Sequence, residues 1–253
     1  MKVVVHNPCA AGAFVRLPLM LSMMQERLDA GDEVVSIECD AAVPACVVTL
    51  DGDPAICRFC AVRAARGRGL LSRPIRVRQL SEFVPPHLAT QVRSSRDSFA
   101  SLAEFKALCH QGVDVGYAAL STYAHVTRDP EPDLSRRVVR DRLQRLVHTA
   151  RLVHAAWQRV LAEERPDLVL MFNGRLDIDR PVLRACQAAG VPCHAYEVGM
   201  GVDAVTRFDN ALPHDIGYLV RTIDALWQQA GPERAEVGAA FFQMRRAGTR
   251  SHR

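Results

Sequence analysis

The sequence has 253 residues, of which 49% are hydrophobic, and a formal net charge of +4. This is enough for one large or two modest domains with a sizeable core. The charge is small, the arginines are scattered, and the aromatic residues (6%) do not alternate with them. We therefore expect no nucleic acid among the partners.

The N-terminal region lacks the features of a targeting or membrane-spanning segment. The apolar stretch near the N-terminus is interrupted by Arg16 and Pro18, whereas a spanning helix needs about 20 mostly apolar residues. No long apolar stretch with a small-residue cleavage site follows Lys2, so a signal peptide is not indicated. We expect no transmembrane segment and a cytoplasmic location, where thiols are normally reduced.

The first third of the chain alternates between strand-like and helix-like patterns. A β-branched run at 2–6 predicts a strand, helical apolar spacing predicts a helix over 10–30, and a second apolar run predicts a strand at 33–39. This β-α-β order is typical of a parallel, doubly wound sheet. A third strand is expected at 74–80.

The rest of the chain continues the same alternation. An Arg-rich amphipathic helix over 134–164 is the clearest element, and it precedes a second β-α-β unit. The remaining predictions are strands at 167–172 and 192–199, and helices at 98–111, 112–127, 179–189, 213–229 and 232–246. The predicted fold class is α/β, a Rossmann-like parallel sheet flanked by helices.

Four of the eight cysteines lie close together just after the second predicted strand, at Cys39, Cys46, Cys57 and Cys60. Four thiolates can bind Zn²⁺ tetrahedrally, and the C-x-x-C spacing of the last two suits a metal knuckle. Such a site would be structural, because four thiolates leave no open position. Two alternatives remain: unligated, buried thiols, or a redox pair of Cys57 and Cys60 with one low thiol pKa.

Polar residues follow two of the later predicted strands, and ligands of open α/β sheets bind at such strand ends. Asn173, Gly174 and Arg175 follow the strand at 167–172: the amide can donate and accept, the glycine allows close backbone approach, and the arginine can hold an anion or a hydroxyl. The alternative is a strand-to-helix turn that uses Asn-Gly only for its geometry.

Glu197 and Gly199 lie at the end of the next strand, where a carboxylate can act as a general base or hold hydroxyl groups. A capping or ion-paired glutamate, for example one paired with Arg175, is the alternative. His214 and Asp114 are two further candidate substrate-binding residues. The chain has neither of the usual glycine-rich nucleotide-binding signatures, G-x-x-x-x-G-K-[ST] and G-x-G-x-x-G.

The order of these motifs resembles a known family. The cysteine-rich segment beginning "ECDA", then "GVDVGYAALST", the long Arg-rich helix, "FNGR", "YEVG" and "PHD" resemble the N-terminal half of bacterial capsule and surface polysaccharide biosynthesis proteins, which look like GT-B glycosyltransferases. The resemblance spans roughly residues 2–246.

The resemblance implies a glycosyltransferase, or its acceptor-side half, that transfers a sugar from a nucleotide-sugar donor to a sugar or glycan acceptor. Asn173, Arg175 and Glu197 would line the cleft, with Glu197 as base or hydroxyl ligand and no catalytic metal. Such proteins can be peripheral to the inner membrane. The alternatives are a non-catalytic, zinc-stabilised module that binds sugar or protein, and a thiol-redox protein.

The resemblance also implies a domain organisation. Residues 1–215 would form the Rossmann-like, acceptor-side domain with a cysteine-rich insertion at 39–60, and residues 216–253 a C-terminal helical segment. The family's second domain, which holds the donor, has no counterpart in the sequence. A partner chain is therefore expected to supply it.

Overall fold

The computed structural model describes residues 1–12, 15–91, 97–198 and 205–248, except for the side chains of residues 89–91. Its centre is a six-stranded sheet with the order β3-β2-β1-β4-β5-β6. The strands are β1 (Lys2–His6), β2 (Glu33–Glu38), β3 (Arg76–Gln79), β4 (Leu168–Phe172), β5 (Cys193–Val198) and β6 (Val205–Asp209). The first five are parallel and β6 is antiparallel to β5. The predicted Rossmann-like α/β class is confirmed.

Helices follow the strands along the chain. In chain order they are α1 (Arg16–Asp29), α2 (Pro54–Arg68), α3 (Pro86–Gln91), α4 (Leu102–Lys106), α5 (Val115–Thr127), α6 (Arg137–Glu164), α7 (Arg180–Ala189), α8 (Ile216–Gln229) and α9 (Arg234–Arg246). A short 3₁₀ turn, Leu80–Glu82, follows β3.

Both faces of the sheet are covered, and alternate residues of the central strands supply the two cores. Val3 and Val5 point to the core shared with α1, where Met20 and Met24 are fully buried. Val4 points to the opposite core, together with Trp157 of α6 and residues of α7. A strand buried on both faces has to be apolar throughout, which explains "VVV" in β1 and "LVLMF" in β4.

A third core lies outside the sheet. Helices α4 and α5 pack against the N-terminal half of α6, where Phe99, Phe105, Leu143 and Leu146 are buried. The long α6 therefore belongs to two cores: its C-terminal half covers the sheet and its N-terminal half supports α5. This arrangement holds the C-terminal end of α5 close to the loop that follows β4.

Several elements differ from their predicted extent. The helix expected at 98–111 is limited to α4, and α2 extends over 54–68, so Cys57 and Cys60 are helical and do not lie in a loop. The cysteine-rich segment is therefore irregular only in its first part, up to Asp53. The edge strand β6 was not predicted.

The two C-terminal helices have no fully buried residue, although Tyr218 and Leu219 of α8 pack against the core that contains Trp157. Their large apolar side chains are exposed, including Ile216, Ile223, Leu226 and Phe242. Among the described residues no helix has the length and apolar character needed to cross a membrane.

Candidate functional site

A cavity of about 170 Å³ opens at the carboxyl ends of β4 and β5, beside the loop that follows β1. In the strand order of this sheet, β1 and β4 are the neighbours at which the winding direction reverses, and ligands of doubly wound sheets bind at that position. Apolar side chains and Gly12 form part of the wall. The polar side chains that line the cavity are Arg16, His125, Asn173, Arg175 and Glu197.

The loop after β4 turns sharply at two consecutive residues with left-handed backbone, Asn173 (φ 60°) and Gly174 (φ 88°). A side chain at Gly174 would be strained at this φ and would approach Leu212 closely. The Asn173 side chain accepts a hydrogen bond from the Arg175 backbone N–H at 3.1 Å. Asn-Gly thus provides the turn geometry, as its alternative interpretation predicted, while the Asn173 side chain still lines the cavity.

Asn173 and Glu197 meet across neighbouring strands. The Asn173 Nδ2 donates to Glu197 Oε2, and the Val198 backbone N–H donates to the other carboxylate oxygen at 3.1 Å. Pairing of Phe172 with Tyr196 in the β4–β5 register brings the two residues side by side. The carboxylate is therefore oriented at the cavity wall. The side chain that donates to it is that of Asn173 and not that of Arg175.

Arg175 contacts a histidine from another part of the fold. Its Nη2 lies 3.1 Å from Nδ1 of His125, near the C-terminal end of α5. Arginine can only donate, so His125 accepts through Nδ1 and is neutral in this arrangement. Burial, together with the positive charges of Arg175 and Arg128, lowers the pKa of His125.

A buried ion pair forms the base of the site. Arg16, 2% exposed, donates to both carboxylate oxygens of Asp179, at 2.6 and 3.1 Å, and Asp179 is fully buried. The Arg16 guanidinium also lies over the Phe172 ring, 5.3 Å from its centre. The pair joins the start of α1 to the residue before α7, and thereby fixes the loops that follow β1 and β4.

Two further buried polar groups hold these loops. Thr122 donates to Asp177 at 2.6 Å and accepts from the Asp177 backbone N–H, while burial raises the pKa of Asp177 well above its ordinary value. His6 lies at 2.8 Å from the Ile178 carbonyl and accepts from the Trp157 indole at 3.1 Å. Burial, helped by the charge of Arg16, lowers the pKa of His6 to about 3.

The other predicted binding residues lie elsewhere. Asp114 forms ion pairs with Arg180 and Arg184 of α7, at 2.5 and 3.1 Å, and does not line the cavity. His214 is exposed in the turn before α8 and is also absent from the cavity wall. Gly199 lies outside the described residues. The structure thus brings together Asn173, Gly174, Arg175 and Glu197, but not Asp114 or His214.

The four clustered cysteines share a second, much smaller cavity of about 20 Å³ beside Pro8. All eight cysteines are free thiols, and within the described ranges no three metal-binding side chains converge as they would around an ion. Burial raises the pKa of both Cys57 and Cys60. This shift is opposite to the one that a redox role of this pair requires.

Cys9, which the motif analysis did not select, belongs to the same cluster. The interaction between the two thiols lowers the pKa of Cys46 to about 7 and raises that of Cys9. Burial raises the pKa of Cys39 to about 12. The buried thiols are thus not equivalent, and Cys46 is the one whose thiolate is favoured.

Arg16 and His125 are the polar cavity residues that the sequence did not reveal. Arg16 could have been found, because it follows the first predicted strand, and the loop after this strand borders the reversal point of such sheets. His125 gives no such signal, because it reaches the cavity through the packing of α5 against α6. With Glu197 as acceptor and the Arg175 guanidinium as donor, the cavity can bind a ligand that carries hydroxyl groups.

Comparisons with known proteins give little further information. The chain matches no protein-family description and no curated protein. Among solved structures it is similar to a deacetylase of the teicoplanin biosynthesis pathway, determined in complex with teicoplanin. The identity is 14% over 78% of this chain and 70% of the other, with a TM-score of 0.38. At this level of similarity, neither fold nor function can be transferred.

Proposed function

We propose that this chain is the acceptor-side half of a GT-B-like glycosyltransferase in surface polysaccharide biosynthesis. The observation that carries the proposal is the Asn173–Glu197 pair, an oriented carboxylate at the carboxyl ends of neighbouring parallel strands. It faces a cavity that also contains the guanidinium groups of Arg16 and Arg175. The ligand class is a sugar or glycan whose hydroxyl groups these side chains recognise.

Glu197 is the proposed base of the transfer. The acceptor hydroxyl oxygen forms a bond to the anomeric carbon of the donor sugar, the bond from that carbon to the diphosphate breaks, and the hydroxyl proton moves to Glu197. Asn173 holds the carboxylate in position through its side-chain amide. Arg175, held by His125, provides a donor for another acceptor oxygen or for an anionic substituent.

The size of the cavity supports a site completed by a second component. Complete small-molecule sites usually have volumes of about 300–1,000 Å³, compared with about 170 Å³ here. In the proposed enzyme a partner chain or domain contributes the remaining wall and binds the nucleotide sugar.

A non-catalytic sugar-binding module is the second candidate. One observation favours it: both carboxylate oxygens of Glu197 already accept hydrogen bonds from protein groups, as in a residue that positions a ligand rather than one that takes up a proton. The two candidates share the cavity and differ in turnover. Release of a nucleoside diphosphate, which only the transferase produces, separates them.

The test is binding of a panel of monosaccharides and their methyl glycosides, measured by saturation-transfer NMR and calorimetry. We expect Asn173→Ala and Glu197→Gln to weaken binding by at least about tenfold, because each leaves a polar group of the site without its partner. Glu33→Gln, an exposed carboxylate at the start of β2, is the control and should bind normally.

Absence of binding across the panel, or equal binding by both site variants, would contradict the proposal. In a second experiment the protein is incubated with the same sugars and with UDP-glucose, UDP-N-acetylglucosamine or GDP-mannose. Release of nucleoside diphosphate that Glu197→Gln abolishes supports the transferase. Sugar binding without any such release by the chain, with or without cell lysate as a source of the donor-binding component, supports the binding module.

A further inference from the structure

Thiols from three separate segments meet beside the candidate sugar site. Cys39 and Cys46 belong to the irregular segment after β2, Cys57 and Cys60 to the first turns of α2, and all four line one small cavity with Pro8. Cys9, in the loop after β1, contacts Cys46. The carboxyl ends of β1 and β2 are adjacent in the sheet, which explains how these segments meet.

The dimensions of this cavity suit a single ion. A water molecule requires about 10–15 Å³ of space measured in this way, and the cavity provides about 20 Å³. An organic ligand or an iron–sulfur cluster is much larger than this. The wall is mostly apolar apart from the sulfur atoms and Thr49, and soft thiolate ligands select metals such as zinc.

Backbone N–H groups are directed at three of the sulfur atoms. Ala11 N donates to Cys60 Sγ at 3.3 Å. The N–H groups of Ala41 and Ala42 lie against Cys39, and those of Val48 and Thr49 against Cys46. Such bonds stabilise negative charge on sulfur and orient a ligand.

The segment that carries Cys39 and Cys46 has almost no regular secondary structure and is held mainly by side-chain contacts, such as those of Thr149 with the Ala45 carbonyl and of Arg142 with Asp51. Between the end of β2 at Glu38 and the N-cap of α2 at Asp53, the regular backbone pairing consists of a bridge between Cys46 and Thr49. Gly52 has a φ of 70°, and a Cβ there would meet the Pro44 carbonyl at 2.6 Å. A metal bound by these cysteines would add a cross-link between this segment and α2.

We propose that Cys39, Cys46, Cys57 and Cys60 bind one Zn²⁺ ion as four thiolates, with Cys9 as an outer hydrogen-bond donor to Cys46. In the described residues the four thiols do not yet converge at bonding distance, so binding requires them to rotate toward the shared cavity. Four thiols lose their protons to solvent as four Zn–S bonds form. The site has no open position, and its role is structural.

The zinc site would fix one wall of the candidate sugar site. Val47 lines the larger cavity, while its neighbours Cys46 and Val48 line the thiol cavity. Gly12 also lines the larger cavity, and the adjacent Ala11 donates to Cys60. The proposal does not depend on what the larger cavity binds, since metal content is measured without a sugar.

The test is the metal content of the full chain, produced with added zinc and iron salts and purified without chelator. We expect about one zinc per chain, and an intense thiolate-to-cobalt absorption band after replacement with Co²⁺. Cys57→Ser and Cys60→Ser should each weaken zinc binding by more than the ~10–100-fold that loss of an outer partner costs. Cys109→Ser, an exposed cysteine outside the cluster, should retain the metal.

Three results would overturn the proposal. The first is a reduced, folded protein that contains no zinc and takes up none on titration. The second is iron with inorganic sulfide in place of zinc. The third is normal zinc content in both Cys57→Ser and Cys60→Ser. If a variant does not fold, alkylation of the native protein still tests the proposal. Zn²⁺ should protect the four thiols from iodoacetamide, while Cys109 should react.

Discussion

Arg16 and Asp179 are the charged pair on which the loops around the candidate site depend. Both side chains are removed from water, at a cost that their attraction and the two hydrogen bonds between them offset. Loss of one partner leaves the other as a buried, uncompensated charge. The energetic consequence of a single substitution is therefore far larger than the net contribution of the pair.

We predict that Arg16→Met lowers the free energy of unfolding by about 3–5 kcal/mol. Arg142→Met is the matched control, because its pair with Asp51 is at the surface, where the two side chains are 31% and 56% exposed. Exposed pairs contribute roughly 0–1 kcal/mol. Urea denaturation of the three proteins measures both values. A loss of less than 1 kcal/mol in Arg16→Met would show that the buried pair is not required.

The sequence identified residues that line the cavity when they directly follow or end a strand. Asn173, Arg175 and Glu197 come immediately after or at the end of buried apolar runs, and parallel strands bring such positions together. His125 could not be found this way, because its position depends on how α5 packs. Asp114 and His214 were selected from local pattern, and their partners and exposure depend on tertiary structure.

At the level of elements, two helical glycines differ in what surrounds them. Gly116, in the first turn of α5, faces the backbone at the end of α4: a Cβ there would lie 1.9 Å from the Phe105 carbonyl oxygen. Gly238, in α9, has no neighbouring atom within 4 Å of such a Cβ. The close approach of α4 and α5 thus requires glycine, while α9 places no such constraint on the residue.

We predict opposite effects for the two alanine substitutions. Gly238→Ala should stabilise the chain by about 0.4–1 kcal/mol, because alanine restricts the unfolded chain and favours helix. Gly116→Ala should destabilise it by about 1–3 kcal/mol or more, because α4 must move away from α5 to make room for the methyl group. Chemical denaturation compares them. Equal effects of the two substitutions would mean that helix propensity, and not the contact with Phe105, determines the change in the free energy of unfolding.

Periodicity predicted the buried elements well and the exposed ones poorly. The strands β1, β2, β4 and β5 and the helix α6 carry long apolar patterns, which tertiary packing requires. Strand β6 has a single buried residue, Phe208, and pairs with β5 only at an edge. Helix α2 buries only Ala64 and Gly67, so its sequence has too weak an apolar stripe to show its length.

For the whole molecule, burial of histidines makes stability depend on pH. The fold lowers the pKa of His6, His110, His125, His148, His154 and His194, and burial is the main cause in each case. Below pH ~6.5 the unfolded chain binds protons that the folded chain does not. This contribution to stability is therefore complete above pH ~6.5 and is lost as the pH falls.

Two buried carboxyl groups act in the opposite direction. Burial raises the pKa of Asp177 and Asp179, so the folded chain binds their protons at a pH where the unfolded chain has lost them. Folding is then favoured as the pH falls toward the unfolded pKa of about 3.9. The histidines outnumber these two groups, and we expect acid to destabilise the protein overall between pH 6.5 and pH 5.

We predict that the free energy of unfolding falls from pH 7 to pH 5 and that His6 accounts for about 1.4 kcal/mol per pH unit below pH 6.5. The reason is that the folded pKa of His6 is about 3, so the folded protein leaves it neutral throughout this range. Urea denaturation at pH 7, 6 and 5 gives the dependence of the free energy of unfolding on pH. His6→Gln should reduce this slope by the contribution of one proton, about 1.4 kcal/mol per pH unit, even if the variant is less stable at every pH. Stability that is constant or rises on acidification would show that the carboxyl groups dominate. An unchanged slope in His6→Gln would mean that His6 becomes protonated without unfolding.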